Sequence, residues 1–286
     1  MNWLISTPVW GARCVEAFIE SALPSIRAAG AGHQIRFLVH TDQPFEIDEA
    51  LQGFERIIRP VPQGESPHHS AGAANREALE IAVPGEPVAL INADMVCSRE
   101  VFAAAEARLA AGKRMIMMAA SRTLGGTPPI GAASADLLDW AMQHRHPAIV
   151  ECFWPAGRSS IPWCAYFEQD GNIVLHGFHL HPFAVVKDRE LRFEGATIDW
   201  DLADNYTREE IHLVTEATEA SFAELSPPER VFALRPSPND AADIAQWARH
   251  HATPLHRWLF DRRITIKGNG EDIGDDAVCN EILAAI

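Results

Sequence analysis

Residues 87–100 read PVALINADMVCSRE, and in them an apolar run passes directly into Asn92-Ala93-Asp94 and a predicted helix start. The apolar run at 88–91 predicts a short buried strand. A carboxylate that ends such a strand loses hydration, and a cation, a hydrogen-bond network or a helix N-terminus must compensate. Capping of the following helix is the alternative for Asp94, although Ser98 lies closer to that helix start. The stretch therefore favours a site in which Asp94 meets a ligand.

Apolar runs and helix-period segments alternate around this stretch. Predicted strands cover residues 2–6, 34–40, 54–58, 88–91 and 114–119, and predicted helices cover residues 12–29, 70–82 and 98–111. Such alternation is typical of a largely parallel sheet with helices on both faces. Ligands of open sheets of this kind lie beyond the carboxyl ends of the strands. We therefore expect one edge to collect the segments that follow the strands, which are residues 7–10, 40–42, 92–94 and 121–123.

The second half of the chain follows a different pattern. It indicates a loop at 124–131, a helix at 134–144, an aromatic and proline-broken segment at 153–166, a strand at 172–178, an acidic cluster at 191–204 and a helical stretch at 240–263. We expect residues 153–166 to face a second substrate. Residues 240–263 combine Trp and Arg, which favours a helix packed on its own domain or on a second subunit, with contact to a membrane surface as the alternative.

Composition narrows the class of protein. The formal net charge of -15 argues against nucleic-acid binding, which usually requires a basic face. The five cysteines are odd in number and form no CxxC, so neither a disulfide framework nor a zinc site is indicated. The amino-terminal residues resemble no signal peptide, and no apolar run reaches the ~18 residues of a membrane span. We expect a cytoplasmic protein, with association at the membrane periphery as an alternative.

Residues 68–96 read HHSAGAANREALEIAVPGEPVALINADMV and combine a glycine, a small-residue helix carrying Asn, a buried strand and the Asn-Ala-Asp motif. This order resembles the nucleotide-sugar-dependent glycosyltransferases of the GT-A fold, family 2 in particular, whose motif is Asp-x-Asp. The resemblance covers about residues 2–122, and a weaker resemblance extends to about residue 205. It implies a GT-A-like, Rossmann-type α/β/α sandwich with a mostly parallel mixed sheet and a short helical C-terminal extension.

The resemblance also implies an organisation of the chain. A catalytic domain would cover residues 1–238, with the nucleotide-sugar half at 1–122 and the acceptor half at 123–238. The helical extension would cover residues 239–286.

The family implies a Mn²⁺ or Mg²⁺ ion held chiefly by Asp94, because hard divalent cations take oxygen ligands and share them with substrate phosphates. Asn92 replaces the first carboxylate of the family motif and would offer a carbonyl oxygen or orient a sugar hydroxyl. Thr7 and Pro8 match the first nucleoside-binding loop, and Asp42 matches the acidic residue that contacts base or ribose. A turn role is the alternative for Asp42.

Asn75 and Arg76 stand in the small-residue helix where many family members carry an Arg-Asn variant. Either Arg76 or Arg122 would neutralise a donor diphosphate, and a solvated arginine is the alternative for each.

A second group consists of two histidines and two aspartates. Alternate residues of an extended chain point the same way, so His179 and His181 are predicted to face one site, with Pro182 breaking the strand. In the family a late histidine completes the metal sphere and a later carboxylate acts as base, which matches His179 or His181 and Asp199 or Asp201. Core hydrogen bonding is the alternative for the histidines, and helix capping for the aspartates.

The predicted function is a metal-assisted glycosyltransferase, or hexosyltransferase-like enzyme, that moves a sugar from a nucleotide-diphosphate sugar to a carbohydrate or lipid-linked hydroxyl acceptor. Its homo-oligomeric state is left open. A sugar nucleotidyltransferase is disfavoured because residues 6–14, STPVWGARC, lack the glycine-rich loop with Arg and Lys. Two rivals remain: a non-catalytic nucleotide-sugar or carbohydrate binding protein, favoured by Asn92, and a metal-dependent hydrolase built on the His and Asp residues.

Overall fold

The structure is a computed structural model that describes residues 1–64, 66–193, 198–229, 233–269 and 273–286. The chain divides into two compact units. The first unit comprises residues 1–118, 130–132 and 181–213, and the second unit comprises residues 119–129, 133–180 and 214–286.

Strands and helices are numbered along the chain. The strands are β1 (Asn2–Val9), β2 (Gln34–Thr41), β3 (Glu55–Pro60), β4 (Pro87–Leu90), β5 (Met95–Cys97), β6 (Met115–Met118), β7 (Ala120–Thr123), β8 (Cys164–Gln169), β9 (Asn172–Gly177), β10 (His181–Val186), β11 (Ile211–Leu213), β12 (Phe222–Leu225) and β13 (Ile264–Lys267). The α-helices are α1 (Ala12–Ala17), α2 (Leu23–Ala29), α3 (Pro44–Ala50), α4 (Pro67–Ile81), α5 (Val101–Ala110), α6 (Ser134–Gln143), α7 (Pro147–Val150), α8 (Ile198–Asp201), α9 (Ala241–His251), α10 (Pro254–Phe260) and α11 (Asp275–Ala284). A π-helical turn, Phe18–Ala22, joins α1 to α2, and a 3₁₀ turn, Leu202–Asn205, follows α8.

The first unit is built on a seven-stranded sheet in the order β11-β6-β10-β4-β1-β2-β3. Strands β1, β2, β3 and β4 pair in parallel, and so do β6 and β11. Only β10 is antiparallel to its two neighbours, β4 and β6, among the paired strands of this sheet. The predicted GT-A-like α/β class with a mostly parallel mixed sheet is confirmed.

Helices cover both faces of this sheet. Successive side chains of β1 point to opposite faces, so β1 contacts helices on both sides. Trp3 packs on Phe102 of α5, with ring centroids 5.2 Å apart, and stacks on Phe183 of β10 at 5.9 Å. Ser6, on the other face, donates its hydroxyl to Asn75 of α4. Residues Trp3, Leu4 and Ile5 are fully buried, as a strand covered on two faces requires.

Strand β10 corrects the prediction that Pro182 breaks the strand. Pro182 is its second residue and pairs with Met117. Its missing N–H is tolerated because a bulge lies between Pro182 and Ala184, and because pairing with β4 begins only at Ala184.

Three other predicted elements differ from the structure. The helix expected from Ser98 begins at Val101, and Glu100, not Ser98, stands at its N-cap position after the strand β5 at 95–97. The loop expected at 121–123 is part of β7. The helical stretch expected over 240–263 is two helices, because Pro254 has no N–H to continue α9 and instead begins α10 behind a Thr253 cap.

The second unit contains an antiparallel sheet, β13-β9-β8, and a parallel pair formed by β7 and β12. Residues 239–286, for which a helical extension is predicted, hold the strand β13 as well as the helices α9, α10 and α11.

A buried ionic cluster fixes α11 to the rest of the second unit. Asp275, the first residue of α11, is fully buried. Its Oδ2 lies 2.9 Å from Nε2 of His176 in β9 and 3.3 Å from Nε of Arg263. Nδ1 of His176 donates to the carbonyl of Phe260 at 2.8 Å. Three separate segments are thus joined through one carboxylate.

Glu86 makes a comparable buried pair in the first unit. Arg36 donates to its two oxygens at 2.7 and 2.6 Å, and the N–H of Val83 donates to it at 3.0 Å. Burial alone would raise the pKa of Glu86, but the hydrogen bonds from Arg36 and Val83 outweigh burial and hold the pKa below its usual value.

This lowered pKa gives a pH prediction. A carboxylate with a lowered pKa in the folded state stabilises the fold above its unfolded pKa, and that stabilisation is lost as the pH falls through the folded pKa. We expect the melting temperature of Glu86→Gln, which cannot ionise, to fall less steeply than that of the wild type as the pH is lowered below about 4.3. Parallel curves in differential scanning calorimetry would contradict this.

In the part of the chain that the structure describes, no helix is both long and apolar enough to cross a membrane.

Candidate functional site

Several of the predicted site residues in the first unit, among them Asp42 and Asp94, lie where β1, β2 and β4 end. This side of the sheet is called the carboxyl edge below. Beyond β4, the N–H of Ile91 donates to the carbonyl of Ser6, which extends the pairing by one residue. The chain then turns, and the N–H of Met95 donates to the carbonyl of Asn92 at 3.1 Å. Asp94 is half-buried inside this turn. A tight turn between two buried strands thus fixes the backbone of Asp94.

Asp42 connects two loops of the carboxyl edge. Both of its oxygens lie 3.1 Å from the N–H of Gly11, which donates to them. Gly11 has a φ of 76°, a conformation that favours glycine, and it stands at the start of α1. Asp42 is exposed, and its remaining lone pairs can accept from the hydroxyls of a ligand.

Cys14 of α1 places Asp94 and Asp42 in one electrostatic environment. Burial is the largest cause that raises the pKa of this thiol. The Asp94 carboxylate raises this pKa further, Arg13 lowers it, and Asp42 raises it by the smallest amount. The carboxylates of Asp94 and Asp42 therefore both lie close enough to the Cys14 thiol to raise its pKa. No sequence motif indicates a role for Cys14. Its position near the carboxyl edge follows only from the tertiary structure.

Thr7 and Pro8 belong to β1 and not to the loop predicted at 7–10, because β1 continues to Val9. Thr7 is fully buried, and its hydroxyl has no hydrogen-bond partner among the described residues. Pro8 pairs with β2 but lies beyond the pairing with β4, which ends at Ser6, so its missing N–H leaves no gap in that ladder.

Helix α4 directs three consecutive side chains to different partners. Oδ1 of Asn75 accepts from the Ser6 hydroxyl at 2.7 Å, which leaves the amide N–H₂ to donate. The guanidinium of Arg76 lies 5.4 Å from the ring centroid of Phe193. Glu77 pairs with buried His40 of β2 at 2.8 Å and also with Arg59 of β3. These contacts tie α4 to three strands of the sheet.

His181 is anchored to the strand that precedes the Asn-Ala-Asp turn. Its Nε2 lies 2.7 Å from the carbonyl oxygen of Leu90, the last residue of β4. A carbonyl only accepts, so Nε2 carries the proton, and in the neutral ring Nδ1 is then the lone-pair nitrogen. Histidines that bind metals commonly donate their other N–H to a carbonyl in this way.

Two predicted residues belong to the second unit. His179 lies between β9 and β10, outside both strands, so the strand alternation that predicted a shared direction with His181 does not apply. Arg122 lies inside β7, and its Nε is 3.2 Å from a carboxylate oxygen of Glu224, its cross-strand partner in β12. An ion pair thus already neutralises this guanidinium.

The predicted bases lie in and beside the short helix α8. Asp201 is half-buried and stands at the N-cap position of the 3₁₀ turn, but its side chain makes no capping hydrogen bond there. The capping alternative is therefore wrong for Asp201. The side chain of Asp199 lies outside the described part of the structure.

Within the described residues no group of three or more His, Cys, Asp and Glu side chains could hold a metal ion. A divalent cation at the carboxyl edge would therefore have few protein ligands. That suits Mg²⁺ or Mn²⁺, which commonly use one or two carboxylates and complete their coordination with phosphates and water. The donor types fit such an ion, since Asp94 and Asn92 offer oxygens and His181 offers a nitrogen.

No protein-family model matches this chain, and neither does any curated protein. Among solved structures, residues 1–349 of S. aureus TarS in complex with UDP are 19% identical over 45% of this chain and 38% of that chain, with a TM-score of 0.34. The same fragment in complex with UDP-GlcNAc is 14% identical over 100% of this chain and 72% of that chain, with a TM-score of 0.46. S. aureus TarS itself is covered over only 23% of its length. Likeness this distant carries no argument about function.

Proposed function

We propose that this protein is a metal-assisted glycosyltransferase that transfers a sugar from a nucleotide-diphosphate sugar to a hydroxyl acceptor. The observation that carries the proposal is the end of β4. A half-buried carboxylate, Asp94, follows the buried strand in a tight turn, and the imidazole of His181 is anchored on the last residue of that strand with Nε2 as donor. An arrangement of this kind suits a divalent cation that also binds a diphosphate.

The remaining residues of the first unit supply the functions that donor binding needs. Asp42 would accept from ribose hydroxyls, and the amide N–H₂ of Asn75 would donate to the donor. Arg76 would offset the charge of the diphosphate, and its stacking against Phe193 limits the orientations of the guanidinium. When bound, Mn²⁺ or Mg²⁺ supplies positive charge that stabilises the departing diphosphate.

We propose an inverting transfer, in which one carboxylate accepts the proton of the acceptor hydroxyl. The acceptor oxygen bonds to the anomeric carbon as its O–H proton passes to the base, and the bond from that carbon to the diphosphate oxygen breaks, with its electron pair leaving on the nucleoside diphosphate. Asp201 is our candidate base, with Asp199 as the alternative, and either would give inversion. The acceptor class, carbohydrate or lipid-linked, is part of the same proposal.

Asn92 favours a second candidate, a binding protein of the same fold without catalysis. An amide at this position contributes no negative charge toward a cation, whereas a carboxylate would. Such a protein would bind a nucleotide sugar without needing metal.

A thermal-shift screen distinguishes these functions, because a ligand that binds only the folded state raises its melting temperature. We expect one of UDP, GDP, ADP and CDP to raise the melting temperature in Mn²⁺ but not in EDTA. At a ligand concentration of about 100 Kd the gain is about 2.7 kcal/mol. A shift of equal size in EDTA would support the non-catalytic binder, and no shift with any nucleotide would contradict the donor site.

A further inference from the structure

The first helical segment of the chain contains a π-helical turn. The N–H of Leu23 donates to the carbonyl of Phe18, five residues earlier, where an α-helix would use a spacing of four. Pro24 follows directly, and a proline inside a helix cannot donate and crowds the carbonyl four residues before it. The wider turn relieves this crowding without ending the helix.

The π turn changes which residues face the sheet. One extra residue in a helix rotates everything after it by about 100° relative to a continuous α-helix. After this rotation, Ser25 of α2 is fully buried. Its hydroxyl donates to the carbonyl of Ala22 at 2.7 Å and accepts from the N–H of Cys97 at 3.1 Å. It therefore joins α2 to the last residue of β5.

Strand β5 begins at Met95, directly after Asp94. The turn that contains Asp94 is preceded by β4, which pairs with β1 and β10. It is followed by β5, which has three residues. A buried backbone N–H needs a hydrogen-bond acceptor, and for Cys97 this acceptor is the hydroxyl oxygen of Ser25. Movement of β5 would move the Asp94 turn with it.

We infer that Ser25 is a positioning residue for the cation site, because its hydroxyl fixes β5 and thereby the carboxylate of Asp94. This inference rests on the proposed function. Groups that orient a metal ligand commonly change metal affinity by 10-fold to 100-fold when they are removed.

The test compares Ser25→Ala with Ser159→Ala. Ser159 is another fully buried serine of the second unit, and its hydroxyl likewise donates to a backbone carbonyl and accepts from a backbone N–H, both of Ile161, at 3.0 and 3.2 Å. The Mn²⁺ dissociation constant is measured by electron paramagnetic resonance at a saturating concentration of the nucleoside diphosphate found in the thermal-shift screen. We expect Ser25→Ala to weaken Mn²⁺ binding at least about tenfold, and Ser159→Ala to leave it within about twofold of the wild type.

Unchanged Mn²⁺ affinity in Ser25→Ala would overturn the inference and leave the proposed function intact. Equal weakening in both serine variants would also overturn it, since a general loss of stability would then be the cause. If Ser25→Ala does not fold, Ser25→Cys in reducing buffer replaces it, because sulfur fills the space but accepts weakly; wild-type affinity in that variant overturns the inference. Absence of Mn²⁺-dependent nucleotide binding in the wild type would instead overturn the proposed function, and this inference with it.

Discussion

Asp94→Ala is expected to lower turnover by at least about two orders of magnitude and to remove the Mn²⁺ dependence of nucleotide binding, while the melting temperature without ligand stays near that of the wild type. The proposed role of Asp94 is to hold the cation that stabilises the departing diphosphate. A loss of about 3 kcal/mol of transition-state stabilisation corresponds to a hundredfold loss of rate. Because the side chain of Asp94 is half-buried, a ligand-free melting curve is recorded beside each activity assay, so that loss of the cation is distinguished from loss of the fold.

Two further variants separate charge from shape. Asp94→Asn keeps the size of the side chain and is expected to lose nearly as much activity as Asp94→Ala, because the cation needs the negative charge. Asn92→Asp adds a carboxylate in the same turn and is expected to lower the Mn²⁺ dissociation constant. Release of nucleoside diphosphate is the assay for all three proteins. If Asp94→Ala kept half or more of the wild-type rate, Asp94 would not hold a cation needed for transfer.

The fold class could be predicted because its signal is local. Alternating apolar runs and helix-period segments predict parallel strands. The same alternation predicts that the residues at the ends of β2 and β4 lie at the carboxyl edge. The late strand β10 could not be predicted, because its pairing with β4 and β6 depends on contacts distant in sequence. Pro182 indicated a break, and only a bulge at that position allows the strand.

The candidate site shows a similar division. The positions of Asp42 and Asp94 can be predicted from sequence because each follows a strand, although their roles stay predictions. The same pattern indicates Arg122 as a cation, and nothing near it in sequence indicates its partner Glu224. Cys14 and Ser25 carry no motif at all. Their relation to Asp94 depends on how the segment from Gly11 to Gly30 turns back over the sheet, and this is a property of tertiary structure.

Asp275→Ala is expected to destabilise the second unit strongly. Asp275 is fully buried and lies against His176 and Arg263, so its loss leaves two basic side chains around an empty anionic position. Removing one partner of a buried ion pair commonly costs about 3–5 kcal/mol, much more than the pair contributes over an apolar replacement. We expect a decrease of at least about 3 kcal/mol in the free energy of unfolding, measured by urea denaturation.

Asp139→Ala is the matched control, because Asp139 pairs with Lys267 at 2.8 Å in the same unit but on the surface, where the two side chains are 47% and 38% exposed. Exposed pairs contribute about 0–1 kcal/mol, since water and salt screen them. If the two variants lost equal stability, burial would not be the reason that Asp275 matters, and α11 would be held by its apolar contacts alone. A large loss confined to Asp275→Ala would instead establish that the carboxylate joins β9, Arg263 and α11 into one cooperative unit.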